Sequence, residues 1–167
     1  MSMNKLLFGI GYLLLLLTAV CGICCGIKHV ATIVLAILTS LVLGYAYFDY
    51  AKKLEIDEAT ILYGFSIITP ISVIIGGIAY LLNATVFAYT LLGLMGLIII
   101  PLHLMSMIIV GIKEKLPIWS FAAPWFVTIG VLEPYVETVL GNVVVNPFLT
   151  LVLIGSILAL IGLVVKK

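Results

Sequence analysis

Arginine and glutamine are missing altogether from this chain, and charged residues of every kind make up only 9% of its 167 positions. Without arginine there is no planar, bidentate clamp for phosphate or carboxylate groups. Eight lysines stand against seven acidic residues, leaving a net charge of +1. So small a balance provides no basic field for nucleic acid, and no nucleic-acid partner is expected. Soluble domains are about half apolar and about a quarter charged; this chain is 65% hydrophobic with a mean hydropathy of +1.41. A water-facing surface cannot be assembled from so few charges, so the lipid bilayer is the expected surrounding. Also missing are the HExxH, GxSxG and glycine-rich phosphate-binding patterns, and any acidic pair within an apolar run. Catalysis inside a membrane needs ionisable groups at depth. The expectation is therefore a protein that is not an enzyme, with no cofactor and no catalytic or metal site.

Long apolar runs are what the sequence does have. A helix needs roughly 20 mostly apolar residues, at about 1.5 Å each, to cross about 30 Å of hydrocarbon. Residues 6–27, 30–47, 59–82, 86–110 and 147–165 qualify. Residues 117–132 are shorter and interrupted by Pro124, but Trp119, Phe121, Trp125 and Phe126 suit a kinked, interfacial span. The expected fold is all-α, a polytopic integral membrane bundle of six transmembrane helices forming one domain over residues 1–167. Six spans place Lys5, Lys52, Lys53, Lys113, Lys115, Lys166 and Lys167 on one side and Lys28 alone on the other. Cytoplasmic loops carry the excess of lysine, so both termini are expected in the cytoplasm of a multi-pass cell-membrane protein. Lys5 and the leucine run resemble a signal peptide, yet LTAVC (17–21) has no small residue just before Cys21, and the run reaches spanning length. An uncleaved first span is expected.

The connections are short. The segment DYAKKLEIDE (49–58) carries mixed charge and is expected to lengthen the second helix by a turn, with Asp57 as the N-cap of the third. Asn83 opens a bare turn, NAT, between the third and fourth spans.

The stretch CGICCGIKH (21–29) gathers three cysteines and a histidine. Cys21, Cys24 and Cys25 lie near one another on a helix. A haem attachment needs histidine where Cys25 stands. A tetrahedral structural site wants four ligands, which one helix cannot wrap around an ion. Packing accounts for the stretch more directly. Thr18, Gly22 and Gly26 recur every four residues, and Thr32, Ala36, Ser40 and Gly44 repeat the spacing on the next helix. Two facing small-residue stripes let membrane helices approach closely.

Three further features are candidates for solute contact. Pro101 removes a helix hydrogen bond beside His103, and His103 and Met107, four apart, can face one cavity. Pro70, Pro101 and Pro124 each break a span, and broken helices at membrane depth line protein or water-filled space. The segment LEPYVETVLGNVVVNP (132–147) reads as an interfacial amphipathic helix bearing Glu133 and Glu137, a candidate cation or solute contact whose plainer reading is a solvated face.

KLLFGIGYLLLLL (5–17) followed by YFDYAKKLEIDEATILYGF (47–65) resembles an archaeal family of multi-pass membrane proteins of unknown function. The resemblance covers the first half, and it implies a glycine-bearing first span and an aromatic, charged turn before the third. It brings no functional residues with it. Between two roles, the small-residue stripes favour a packing or assembly subunit, with a membrane-protein partner or a homo-oligomer. The alternative is a solute-transport or substrate-capture subunit with a cavity between kinked spans three to five. A cavity among those spans would separate the two.

Overall fold

The computed structural model describes residues 4–131 and 145–165. Every regular element among them is an α-helix: α1 Lys5–Cys25, α2 Val30–Ala51, α3 Ile56–Leu81, α4 Thr85–Lys113, α5 Pro117–Phe121, α6 Ala123–Val131 and α7 Val145–Val164. Five of these are long and apolar enough to cross a membrane: α1, α2, α3, α4 and, over Pro147–Val164, α7.

Local chemistry marks the helix ends. The Asn4 side chain accepts the Leu7 N–H and starts α1. Gly26 ends it at a φ of 91°, a left-handed value that glycine reaches without a Cβ penalty. The His29 ring then caps α2 by accepting the Ala31 N–H at 3.3 Å. Helix α2 runs to Ala51, one turn past the apolar run, as the charged segment suggested. Helix α3 begins at Ile56 after Glu55, so Asp57 is not its cap. Asp57 and Glu58 instead occupy the first turn, where the helix dipole favours negative charge. Asn83, with a φ of 62°, makes the tight turn into α4.

The fifth expected span is the element that differs most. Residues 117–131 of it form two short helices, of five and nine residues, separated at Ala122. Pro124 is the cause. It has no N–H to donate, and its ring crowds the carbonyl four residues earlier, which disfavours continuing the helix from Pro117 through it. Within α6 it occupies the first turn, where a missing donor costs little. At about 1.5 Å per residue neither piece alone reaches across 30 Å of hydrocarbon.

Consecutive helices pack side by side and the last returns to the first. Helix α1 meets α2, α2 meets α3, α3 meets α4, α4 meets α5 and α6, α6 meets α7, and α7 closes the ring on α1. The start of α1 and the end of α7 lie together, because Lys5 Nζ donates to the Leu163 carbonyl at 2.9 Å. The same end of the bundle carries the Lys113–Glu58 ion pair at 2.9 Å and the Tyr50 hydroxyl on Glu114 at 2.9 Å. Large apolar side chains such as Leu6, Ile67, Val86 and Leu94 point away from the ring and are exposed. That inverted surface suits lipid.

The expected pairing of small-residue stripes on α1 and α2 does not hold as drawn. A Cβ on Gly22 would lie 2.9 Å from Leu149 of α7 and only 3.6 Å from Thr32 of α2. A Cβ on Gly26 would meet nothing within 4 Å; that glycine serves the turn and not a contact. Gly44 faces α3, with 2.9 Å to the Ser66 carbonyl and 2.7 Å to the Pro70 ring. Thr18 does touch α2, but through Thr39, hydroxyl to hydroxyl at 3.0 Å. Close approach between α1 and α2 is set by Gly11, where a Cβ would strike the Leu43 side chain.

Candidate functional site

The ring of helices encloses a cavity of about 350 Å³. Its wall takes Thr18 from α1, Thr32, Ala36 and Ser40 from α2, Thr69 from α3, His103 from α4, Thr128 from α6 and Leu149 from α7. Thr32, Ala36 and Ser40, expected against α1, thus line this space. From Thr32 down to Leu43 it follows eleven residues of α2, about 16 Å at helical rise. Lys28 and Tyr89 line it at the end opposite Lys5, and the Lys28 ammonium lies 6.0 Å from the Tyr89 ring centroid.

His103 stands at the floor. Its imidazole stacks on Phe65, with ring centroids 4.8 Å apart and planes 20° apart, and stands nearly perpendicular to the Tyr47 ring. Nε2 is 3.2 Å from the Tyr12 hydroxyl, which is itself 2.8 Å from the Tyr47 hydroxyl. A phenol has one proton to give, so Tyr12 donates to one neighbour while accepting from the other. Three buried polar tips from α1, α2 and α4 thereby satisfy one another. Beneath them Phe8, Tyr12, Tyr47 and Trp119 pack edge to face at 4.9–5.3 Å between centroids. The Trp119 indole N–H donates to the Ala159 carbonyl at 2.7 Å and fixes α5 on α7. This aromatic plug closes the cavity toward the lysine-bearing end.

Above the floor most hydroxyls bond back to their own helices: Thr39 to Leu35, Ser40 to Ile37, Thr18 to Leu14. Thr69 Oγ1 and Thr128 Oγ1 differ. Both are buried, both belong to cavity-lining residues, and neither makes a hydrogen bond among the described residues. Buried polar atoms are normally satisfied, so two such hydroxyls from different helices mark positions able to bind a polar group.

His103 lines the cavity; Met107 does not. One helical turn deeper, Met107 is fully buried in the core with Val110, Leu116 and Trp119. Glu133 and Glu137 lie outside the described residues. Of the three expected proline breaks, only that at Pro124 divides a helix; Pro70 and Pro101 lie within the uninterrupted α3 and α4. Sequence reasoning missed Tyr12, Tyr47 and Trp119. A signal existed for the first: a tyrosine in mid-run, away from the interfacial belts, needs a buried partner for its hydroxyl.

The class that fold and site define is a helical bundle with five helices long and apolar enough for a multi-pass membrane protein, wrapped around a central cavity. No protein family, no curated protein and no solved structure matches this chain.

Proposed function

We propose that the chain is a non-enzymatic membrane protein that captures a small, mainly apolar solute in the central cavity. The observation that carries this reading is the cavity itself: apolar walls, the unbonded Thr69 and Thr128 hydroxyls, and a His103 floor. Pockets of this kind use a few placed polar groups to orient an otherwise apolar ligand. Solute capture is favoured over the assembly role because the small-residue positions are spent inside the chain. Gly22 and Gly44 seat neighbouring helices, and Thr32, Ala36 and Ser40 face the cavity.

The direction of opening follows from topology. Lys5 meeting Leu163 implies an even number of crossings, and α5 with α6 would supply the sixth as a broken pair. With the lysine-bearing end in the cytoplasm, the mouth at Lys28 and Tyr89 opens outward. In a background with the three cysteines replaced, Asn83→Cys and Thr128→Cys are expected to react with a small membrane-impermeant thiol reagent added outside. Lys53→Cys should react only from the cytoplasm, and Met107→Cys from neither side. Labelling of Asn83→Cys from the cytoplasm alone would reverse the topology; labelling of Thr128→Cys from neither side would remove the open cavity.

Occupancy is tested separately by native mass spectrometry of the protein in mild detergent. Retained small-molecule mass is expected for the wild type, reduced by His103→Leu and abolished by Ala36→Trp, which fills the cavity. His103→Leu leaves the Tyr12–Tyr47 bond intact, so the fold is expected to persist. Retention unchanged in Ala36→Trp would rule out the cavity as the site.

A further inference from the structure

We propose that Cys21, Cys25 and His29 form a binding site for a thiophilic d10 cation, Zn2+ or Cu+, at the turn between α1 and α2. Their three ligand atoms, two sulfurs and one ring nitrogen, all lie within 4.8 Å of one another. Two are separated by one turn of α1, and the third arrives from beyond the helix. The objection that one helix cannot wrap an ion is removed by Gly26. Its positive φ ends α1 and folds the chain back, so His29 approaches the face that Cys21 and Cys25 share. Glycine is required there by conformation alone, since a Cβ would meet nothing.

Two of the ligands are already held by neighbours. The Thr32 hydroxyl lies 2.9 Å from the Gly26 carbonyl oxygen and 3.3 Å from Cys21 Sγ, so turning its one proton to the sulfur would support a thiolate there. His29 Nδ1 accepts the Ala31 N–H at 3.3 Å, which leaves the ring proton on Nε2, and binding an ion exchanges that cap bond or that proton for the metal. A hydroxyl that donates to a thiolate ligand fixes its orientation and supports its charge. The cysteines are free thiols, and Cys25 and His29 are exposed, so an ion can reach them. Thiolate and imidazole without a carboxylate select soft or borderline ions over Mg2+ and Ca2+. A tetrahedral ion with bonds of about 2.3 Å to sulfur holds two sulfurs about 3.8 Å apart. Side-chain rotation at an exposed helix end supplies that closure. Zn2+ would complete four-coordination with water, whereas Cu+ is content with three ligands. Ile27 and Lys28 stand between Cys25 and His29 and line the cavity mouth, so a bound ion would pin that border.

The test uses the full-length protein in detergent, purified under reductant and stripped with chelator. Zn2+ and Cu+ are titrated separately, bound metal is measured by elemental analysis after desalting, and Co2+ is substituted as a spectroscopic probe. One equivalent per chain is expected for the wild type and for Cys24→Ala. Cys25→Ser should lose the thiolate-to-cobalt absorption, and His29→Ala should weaken binding by about tenfold or more. Competition between the two ions then assigns the site to the zinc or the copper arm. Thermal melts of the metal-free variants matching the wild type keep the comparison free of folding defects. Less than half an equivalent of either ion on the wild type would overturn the proposal. So would loss in Cys24→Ala equal to that in Cys25→Ser, or undiminished affinity in His29→Ala.

Discussion

Adding a single methyl group at Gly155 or Gly130 is expected to destabilise the protein by about 3 kcal/mol, the upper end of the usual overpacking cost. At Gly155 a Cβ would lie 2.7 Å from the Val127 backbone nitrogen and 2.6 Å from its Cγ2. At Gly130 it would lie 2.7 Å from both the Phe148 carbonyl oxygen and the Val152 nitrogen. Each glycine thus faces backbone atoms of the facing helix. A side chain can rotate away from a new methyl, but a helix backbone can yield only by moving the whole helix. The two glycines therefore set the spacing of α6 and α7, the pair in which a short helix must be held against a long one. Gly64→Ala and Gly9→Ala provide the contrast: their added methyls would meet only side-chain atoms, at 3.5 and 3.8 Å. Those two changes are expected to be neutral, or stabilising by up to about 1 kcal/mol through helix propensity. Thermal denaturation of the four variants in one detergent checks the pattern. If Gly155→Ala and Gly130→Ala melt with Gly64→Ala, the close contact of α6 with α7 is wrong.

Trp119→Ala is expected to cost about 3–5 kcal/mol, the range for truncating a fully buried large aromatic. Trp119 is 0% exposed, packs against Phe8 and Tyr12 of α1, and lies over Gly162 of α7. Its loss would leave the Ala159 carbonyl without the indole donor. Trp119→Phe keeps one aromatic ring, losing the indole N–H bond and part of the packing, so about 1–3 kcal/mol is expected. A second readout separates the plug from general stability. If Trp119 helps to close the floor, Thr128→Cys combined with Trp119→Ala should become reactive to thiol reagent from the lysine-bearing end. A destabilised but still sealed double variant would mean that Phe8, Tyr12 and Tyr47 close the floor without it.

Much of the architecture was legible in the residues alone. Five apolar runs became five long helices, because a stretch of that length satisfies its backbone hydrogen bonds only by coiling. The turn at Asn83 and the extension of α2 to Ala51 followed from short-range chemistry. Pro124 announced an interruption, but not whether it would bend a single helix or divide it into a pair. At Pro70 and Pro101 the donor-free position falls inside a continuous helix; at Pro124 a new helix begins instead.

What the residues could not disclose was which way each helix faces. In water, a polar stripe marks the outside of a helix, but lipid is as apolar as a protein core and erases that mark. Gly22, Gly26 and Gly44 share a spacing, yet one seats α7, one makes a turn and one seats α3. Likewise His103 had no visible partner until α1 and α2 brought Tyr12 and Tyr47 to it from 91 and 56 positions away. The sequence by itself determined that this chain is helical, apolar and asymmetric in charge, since those properties belong to single residues and their nearest neighbours. Only the tertiary structure decided that the helices close into a ring with a cavity, because ring closure depends on contacts between residues far apart in the chain.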